Sequence, residues 1–272
     1  MHISAKSQEH YQDKMITSTA NMQVKNLVQL IKKSKARTEQ GVYIVEGIKM
    51  FQEAPKEEIV KVYVSEELYE KGTLKEQLEQ IPYEILKNEV FAHVSDTKTP
   101  QGVLCVMKQK HYTLEQLTQG ACPLLLVLEN LQDPGNLGTM MRTAEGAGVT
   151  GVLMSRRCVD IYNPKTIRST MGSVYRVPFL YTDHLLEDMD QLHAKGITTY
   201  AAHLKGQQFY DEESYQSPTA FLIGNEGNGL SEELSEKAKT YIKIPMGGQL
   251  ESLNAAVAAA ILMYEASRQR RS

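Results

Sequence analysis

Residues 124–148 read LLLVLENLQDPGNLGTMMRTAEGAG, and this stretch decides the fold of the larger part of the chain. Its first five residues form a continuous apolar run, which is typical of a strand buried on both faces of a parallel sheet. Residues 134–136 favour a turn, and the residues after them place apolar side chains at helical spacing. Two glycines end that helix, and residues 149–154 supply a second apolar strand. The stretch therefore predicts a strand–helix–strand unit of an α/β sheet.

Two later segments have the same glycine-containing, polar composition as the loop inside this unit. Residues 224–230 read GNEGNGL, and residues 244–254 read IPMGGQLESLN. Like residues 129–138, each segment lies between a strand-like run and a helix-like run. Open α/β sheets bind ligands at the carboxyl ends of their strands. The three segments are therefore predicted to converge on one ligand.

Spacing alone leaves two interpretations open for the polar residues of these segments. Arg142 is either a surface arginine on an amphipathic helix or the partner of an anionic or carbonyl group. Glu226 either caps a helix or pairs with an arginine, and Asn254 is either a satisfied capping residue or a functional one. Ser252 is expected to be the N-cap of the last helix, which is predicted over residues 253–268.

The chain is predicted to contain two α/β domains preceded by a flexible extension. The extension covers residues 1–20, the first domain residues 21–115 and the second domain residues 122–272. Alternating strands and helices predict a small α/β sandwich for the first domain. A single helix is expected over residues 66–78 and a strand within residues 172–180.

Composition argues against several classes of function. The formal net charge is −3, and no apolar run approaches the ~20 residues of a membrane helix. The three cysteines lack paired metal spacing, so we expect reduced thiols, no metal and a cytoplasmic location. The chain has no GxGxxG or Walker motif in the expected place, which disfavours dinucleotides and nucleoside triphosphates. Eight of the nine arginines follow residue 115, and such a bias permits a phosphate-rich partner.

The three segments resemble, in order and spacing, the three signature motifs of the SpoU (TrmH-like) branch of the SPOUT RNA methyltransferases. Residues 37–53 resemble more weakly the small ribosomal-protein-like RNA-binding domain that precedes the catalytic domain in many members. The resemblance implies a C-terminal SPOUT α/β domain with a deep trefoil knot. It also implies a homodimer that uses S-adenosylmethionine to methylate a ribose 2′-hydroxyl in RNA, with ribosomal RNA as the expected substrate. Three alternatives stay open, namely a transfer RNA substrate, a non-catalytic RNA-binding or assembly factor of the same fold, and a small-molecule or protein methyltransferase.

The resemblance also implies which residues form the site. The residues matched to catalytic positions are Asn130, Arg142, Glu226, Ser252 and Asn254. Those matched to or expected at the cofactor are Gly224, Gly227, Ile244, Met246 and Leu253. The basic residues expected to contact RNA are Lys35, Arg37, Arg156 and Arg168. A guanidinium is a poor base because its pKa lies above ~12, so Arg142 is predicted to position the RNA, with Glu226 orienting Arg142 or Asn254.

Overall fold

The computed structural model describes residues 15–203, 206 and 208–271. They divide into two compact units. The first unit contains the residues up to Lys110 together with Tyr162–Arg168, and the second contains His111–Ile161 and the residues from Ser169 onward. Residues 1–14 of the predicted flexible extension lie outside the described residues, whereas Met15–Ile16 form a strand of the first unit.

The first unit is built on a mixed five-stranded sheet, in the spatial order β1-β4-β3-β5-β2. Its strands are β1 (Met15–Ile16), β2 (Val42–Glu46), β3 (Ile59–Ser65), β4 (Tyr83–Leu86) and β5 (Val103–Lys108). β1, β4 and β3 run parallel, whereas β5 is antiparallel to β3 and β2. Its helices are α1 (Met22–Lys32), α2 (Ser34–Gln40), α3 (Ile48–Glu53), α4 (Glu66–Lys71), α5 (Lys75–Leu78) and α6 (Asn88–Val94).

Helix α1 shows how the local sequence builds this unit. The Asn21 side chain caps the helix by accepting a hydrogen bond from the N–H of Gln23 at 2.8 Å. Val24, Leu27 and Leu30 then recur at helical spacing, and all are buried in the core of the first unit. The predicted single helix over residues 66–78 was wrong, because Gly72 adopts a φ of 70° and separates α4 from α5.

The second unit is built on a parallel seven-stranded sheet, in the order β10-β12-β9-β11-β6-β7-β8. Its strands are β6 (Leu124–Leu128), β7 (Gly151–Ser155), β8 (Phe179–Thr182), β9 (Thr198–Ala202), β10 (Gln208–Phe209), β11 (Thr219–Ile223) and β12 (Thr240–Lys243). Its helices are α7 (Leu114–Leu117), α8 (Pro134–Ala147), α10 (Leu185–Ala194), α11 (Glu232–Lys237) and α12 (Ala255–Arg270). Helix α9 (Pro164–Thr170) begins in the segment that belongs to the first unit.

Strand β6 lies inside this sheet, paired with β11 on one side and β7 on the other. All of its residues are buried, which explains the unbroken apolar run in the sequence. The predicted α/β class is therefore confirmed for this unit, and the strand–helix–strand unit forms as β6, α8 and β7. The trefoil knot stays a prediction.

Two sequence-based boundaries in the second unit were wrong. The strand expected within residues 172–180 is confined to β8, because Met171 and Gly172 both adopt positive φ, at 50° and 95°, and a 3-10 turn follows at Ser173–Tyr175. The last helix begins at Ala255, and its N-cap is Asn254 rather than Ser252. The Asn254 side chain accepts the N–H groups of the first helical turn, at 2.9 and 3.3 Å.

Candidate cofactor and RNA site

The first loop, residues 129–133, runs from the end of β6 to the start of α8. The N–H of Glu129 donates to the carbonyl of Ile223 at 2.9 Å, which extends the pairing of β6 with β11. Helix α8 begins with Pro134, and the Asp133 side chain caps it by accepting the N–H of Asn136 at 2.7 Å. Proline is favoured at this position because an N–H in the first helical turn has no partner within the helix, so proline loses no hydrogen bond by lacking one.

The second loop, residues 224–230, closes on itself directly after β11. Asn225 and Gly229 exchange two backbone hydrogen bonds of 2.9 Å. A Cβ on Gly224 would lie 2.1 Å from the carbonyl carbon of Gly229 and 2.2 Å from the nitrogen of Leu230. Residue 224 is therefore glycine because the backbone of its own loop occupies the place of a side chain.

Glu226 joins the second loop to the first. Its carboxylate accepts the N–H of Gln132 at 3.0 Å and the N–H of Asp133 at 2.9 Å, and it accepts the side-chain amide of Asn136 at 3.1 Å. Burial acts to raise the pKa of Glu226, but the donated hydrogen bonds outweigh it and hold the pKa below its ordinary value. Glu226 is thus a carboxylate stabilised beside the N-terminus of α8.

Asn136 connects Glu226 to the third segment, residues 244–254. Its side-chain oxygen accepts the amide of Asn254 at 3.0 Å, while Asn254 caps α12 with its own oxygen. We call the chain of side chains Glu226, Asn136 and Asn254 the loop-joining network. Glu226 was predicted to orient Arg142 or Asn254, and among the described residues it reaches Asn254 through Asn136 and has no hydrogen bond to Arg142. That Glu226 orients Asn254 for catalysis stays a prediction. Sequence reasoning used Asn136 only as a turn residue, although it lies in the same motif as Arg142.

Asn130 is partly buried and ties the first loop to its neighbours by hydrogen bonds. It adopts a φ of 54°, a conformation in which asparagine is favoured among non-glycine residues. Its N–H donates to the Ser155 hydroxyl at 2.9 Å, and its side-chain oxygen accepts from that hydroxyl at 3.1 Å. Its carbonyl accepts the amide of Asn225 at 2.9 Å. These contacts give Asn130, predicted to be catalytic, a scaffolding position.

A cavity of about 370 Å³ lies between the second loop and the third segment. Its size falls in the roughly 300–1,000 Å³ range of small-molecule pockets. Glu226 and Ser252 also line it. Its lining includes every residue predicted to contact the cofactor, namely Gly224, Gly227, Ile244, Met246 and Leu253.

Arg142 lies on α8, on the solvent-exposed side of the helix. Its guanidinium has no hydrogen bond or ion pair with any residue that the structure describes. Of the two interpretations left open by the sequence, an anionic or carbonyl partner for Arg142 is not found among the described residues. The guanidinium is available to a ligand.

Three of the four basic residues predicted to contact RNA form ion pairs with acidic side chains. Lys35 is exposed, and its nearest acidic partner is Glu39 at 3.7 Å. Arg156 pairs with Asp183 at 3.3 Å, and Arg168 with Asp96 at 2.8 Å.

Arg37 corrects the prediction most clearly, because it is only 3% exposed. Its guanidinium donates to the carbonyls of Leu30 and Ile31, at 2.7 and 3.2 Å, and so caps the C-terminal end of α1. A buried arginine in this role is not available to RNA.

In the ranges that the structure describes, no cluster of three histidine, cysteine or acidic residues has the arrangement of a metal site. Within the same ranges, no helix has the length and hydropathy needed to span a membrane. The cytoplasmic location stays a prediction.

Comparison with known proteins identifies the class to which this fold and site belong. Residues 123–264 match the SpoU rRNA Methylase family, and residues 21–105 match the MRM3-like substrate binding domain. The chain is 36% identical to the 23S rRNA (guanosine(2553)-2'-O)-methyltransferase RlmP of Bacillus subtilis (strain 168), over 92% of this chain and 98% of that protein.

Two solved structures that contain the cofactor are similar along nearly the whole chain. One is the SpoU methyltransferase AviRb from Streptomyces viridochromogenes in complex with AdoMet, with a TM-score of 0.84, 26% identity and coverage of 93% of this chain and 99% of that one. The other is the AdoMet-bound rRNA methyltransferase from Sinorhizobium meliloti, with a TM-score of 0.82, 29% identity and coverage of 94% and 97%.

The fold is thus that of an S-adenosylmethionine-dependent RNA methyltransferase. The chain belongs to the SpoU rRNA methylase family. The predicted family, the enzyme class of RNA 2′-O-methyltransferases and the cofactor are confirmed.

Proposed function

We propose that this protein transfers the methyl group of S-adenosylmethionine to a ribose 2′-hydroxyl in ribosomal RNA. The observation that carries the proposal is the cavity lined by the second and third segments of the family match, to which the loop-joining network ties the first segment. The names of the Bacillus subtilis and Sinorhizobium meliloti relatives specify ribosomal RNA, and both match more than nine tenths of this chain. This coverage includes the residues of the substrate binding domain, which favours ribosomal over transfer RNA.

The residues around the cavity fit the cofactor. The backbone groups of Met246 and Leu253 form no hydrogen bond with the described residues, so they can pair with the polar edge of an adenine. Ile223, Ile242 and Ile244 supply apolar surface for its faces. When bound, S-adenosylmethionine supplies an electrophilic methyl group.

Arg142 is proposed to position the RNA rather than to remove a proton. An arginine guanidinium presents hydrogen-bond donors and a positive charge but has no acceptor for a proton. Arg142 would hold the 2′-hydroxyl in line with the methyl group. Such placement of the reactants lowers the activation barrier by ~7–11 kcal/mol in favourable cases. Ser252 lines the cavity and is exposed, which supports a role next to the bound cofactor.

The test of this role is Arg142→Ala in a single-turnover methylation assay. We expect at least about a 100-fold loss of methyl transfer, because small misplacements of reactants have effects of this order. Cofactor affinity, measured by calorimetry, should not change. Lys195→Ala is the matched control, since Lys195 pairs with Glu115 on the surface. Full methyl transfer by Arg142→Ala with intact cofactor binding would contradict the assigned role.

The substrate is tested separately, by mapping 2′-O-methyl nucleosides in RNA from cells that lack this protein. Loss of one methyl mark from ribosomal RNA is the expected result. Loss of a mark from transfer RNA alone would replace the proposed substrate with the alternative. An unchanged set of marks in both RNAs would contradict the proposed activity.

Helix α12 supports the proposed homodimer. Val257 and Tyr264 lie on one face, seven residues apart, and are 49% and 48% exposed although both are apolar or aromatic. We expect Val257→Glu to convert a dimer to a monomer in sedimentation velocity experiments. A monomeric unmodified protein at the concentrations of the assay would refute the dimer.

A further inference from the structure

The arginines of this chain differ in whether their guanidinium groups already have partners. Six of them donate to carboxylates or carbonyls of the described residues, namely Arg37, Arg156, Arg168, Arg176, Arg268 and Arg270. In the part of the chain that the structure describes, the side chains of Arg142, Arg157 and Arg271 have no such partner. Arg271 lies at the end of α12, outside the loops of the site. Arg157 is therefore the unpaired arginine that the proposed function has not used.

The backbone of Arg157 is fixed to the first loop of the site. Its carbonyl accepts the side-chain amide of Gln132 at 2.7 Å. On the next residue, the Cys158 sulfur accepts the N–H of Leu131 at 3.3 Å, and the N–H of Val159 donates to the carbonyl of Leu131 at 2.8 Å. The turn that carries Arg157 is therefore rigidly attached to residues 131 and 132.

Gln132 places this turn close to the loop-joining network. While its side chain holds the Arg157 carbonyl, its own N–H donates to the Glu226 carboxylate at 3.0 Å. Gln132 therefore contacts both the backbone carbonyl of Arg157 and the carboxylate of Glu226. Arg157 itself is exposed, so a fixed main chain presents a free guanidinium beside the site.

We infer that Arg157 binds a phosphate of the RNA substrate next to the methylated nucleotide. The inference rests on the proposed function. A guanidinium offers paired donors that match the oxygens of a phosphate, and a fixed backbone lowers the entropy lost on binding. The adjacent Arg156 is the natural comparison, because its guanidinium already pairs with Asp183. We thus assign the RNA contact of this turn to Arg157, whereas the sequence predicted it at Arg156.

The experiment compares Arg157→Ala, Arg157→Lys and Arg156→Ala in the full-length protein. Binding to unmethylated 23S and 16S ribosomal RNA, transcribed in vitro, is measured by filter retention between about 50 and about 200 mM salt. We expect Arg157→Ala to lower RNA affinity about tenfold and to reduce the slope of log affinity against log salt by about 1. Arg157→Lys should keep the slope while losing part of the affinity, because lysine keeps the charge but not the fork.

Arg156→Ala should change RNA affinity less than about twofold, since exposed ion pairs contribute little. Cofactor affinity should match that of the unmodified protein in all three variants, which shows that the site is folded. An Arg157→Ala protein with an unchanged affinity and salt slope would overturn the inference. If the unmodified protein binds these RNAs but methylates neither, the proposed function fails while the salt slopes still decide the role of Arg157.

Discussion

Glu46 in the first unit and Glu226 in the second organise a neighbouring loop in the same way. Glu46 ends β2 and accepts the hydroxyls of Ser95 and Thr97, at 2.6 and 2.8 Å, and the N–H of Asp96 at 3.3 Å. Glu226 likewise accepts two backbone N–H groups and one side-chain donor. In both places a carboxylate satisfies polar groups of a loop that has no ladder partner.

The two regions differ in what remains beside the carboxylate. Around Glu46 the free volume is about 10 Å³, bounded in part by Ile44 and Ile167, which is near the limit for one water molecule. Beside Glu226 it is about 370 Å³. A carboxylate that collects hydrogen bonds is therefore not by itself a sign of a ligand site. The cavity distinguishes the region around Glu226 from the region around Glu46. Ligand binding in that cavity requires the loops that line it to keep their positions.

The largest expected effect comes from substituting one tightly surrounded glycine in each unit. Gly224→Ala should lower the affinity for S-adenosylmethionine by at least about 100-fold, because the added Cβ meets backbone atoms that cannot give way without opening the loop. Calorimetric titration measures this.

Gly102→Ala is the matched change in the first unit. Gly102 adopts a φ of 86°, and a Cβ there would lie 2.4 Å from the Ser65 hydroxyl. We expect a loss of about 1–3 kcal/mol in the free energy of unfolding and an unchanged cofactor affinity at temperatures where the protein is folded. Equal losses of cofactor affinity in the two variants would remove the distinction between the regions.

The next effect separates the two carboxylates. Glu226→Gln should slow single-turnover methyl transfer about 100-fold, since an amide replaces one oxygen acceptor with a donor and the loops lose their common anchor. Glu46→Gln should lower stability by about 1–3 kcal/mol and leave the methylation rate within about twofold. A normal rate for Glu226→Gln would show that the loop-joining network is not needed for activity.

A smaller effect tests the correction made at Arg37. Arg37→Met should lower the free energy of unfolding by roughly 2–3 kcal/mol, because the carbonyls of Leu30 and Ile31 lose a buried donor. Lys35→Met, on the same helix but exposed, should stay within about 0.5 kcal/mol. Chemical denaturation of both variants measures the difference. Similar free energies of unfolding for the two variants would contradict the buried capping role of Arg37 and would restore the predicted RNA contact.

The smallest effect is a pH dependence of the Glu226 contacts. Because its pKa in the folded protein lies below the ordinary value of 4.5, the ionised carboxylate stabilises the loops at pH values above 4.5. This stabilisation is lost as pH falls through the lowered pKa. The difference in melting temperature between the unmodified protein and Glu226→Gln should therefore be constant at neutral pH and shrink below 4.5. A difference that persists or grows in acid would contradict the assignment.

The sequence was sufficient for features set by neighbouring residues. The apolar run of β6 and the turn before α8 depend on local composition, and both formed as predicted. The residues assigned to the cofactor line one cavity because they lie in the segments that follow β11 and β12, two parallel strands of one sheet separated only by β9.

The errors fall where the partner is not visible in the local sequence. Asn136 was overlooked because Glu226 lies ninety positions away in the chain. Arg37 stands in a basic run that looks exposed, and only the packing of α1 turns it inward. Ser252 and Asn254 are both good capping residues, so the local sequence could not choose between them.

The central claim, that Glu226 holds the first loop in place, is tested most directly by hydrogen exchange of the amides of Gln132 and Asp133. Both N–H groups donate to this carboxylate, and hydrogen bonds to charged groups are worth about 1.5–3 kcal/mol. In Glu226→Gln these two amides should exchange more than about tenfold faster, while the amide of Asp96, held by Glu46, keeps its rate. Unchanged exchange at Gln132 and Asp133 would contradict the account.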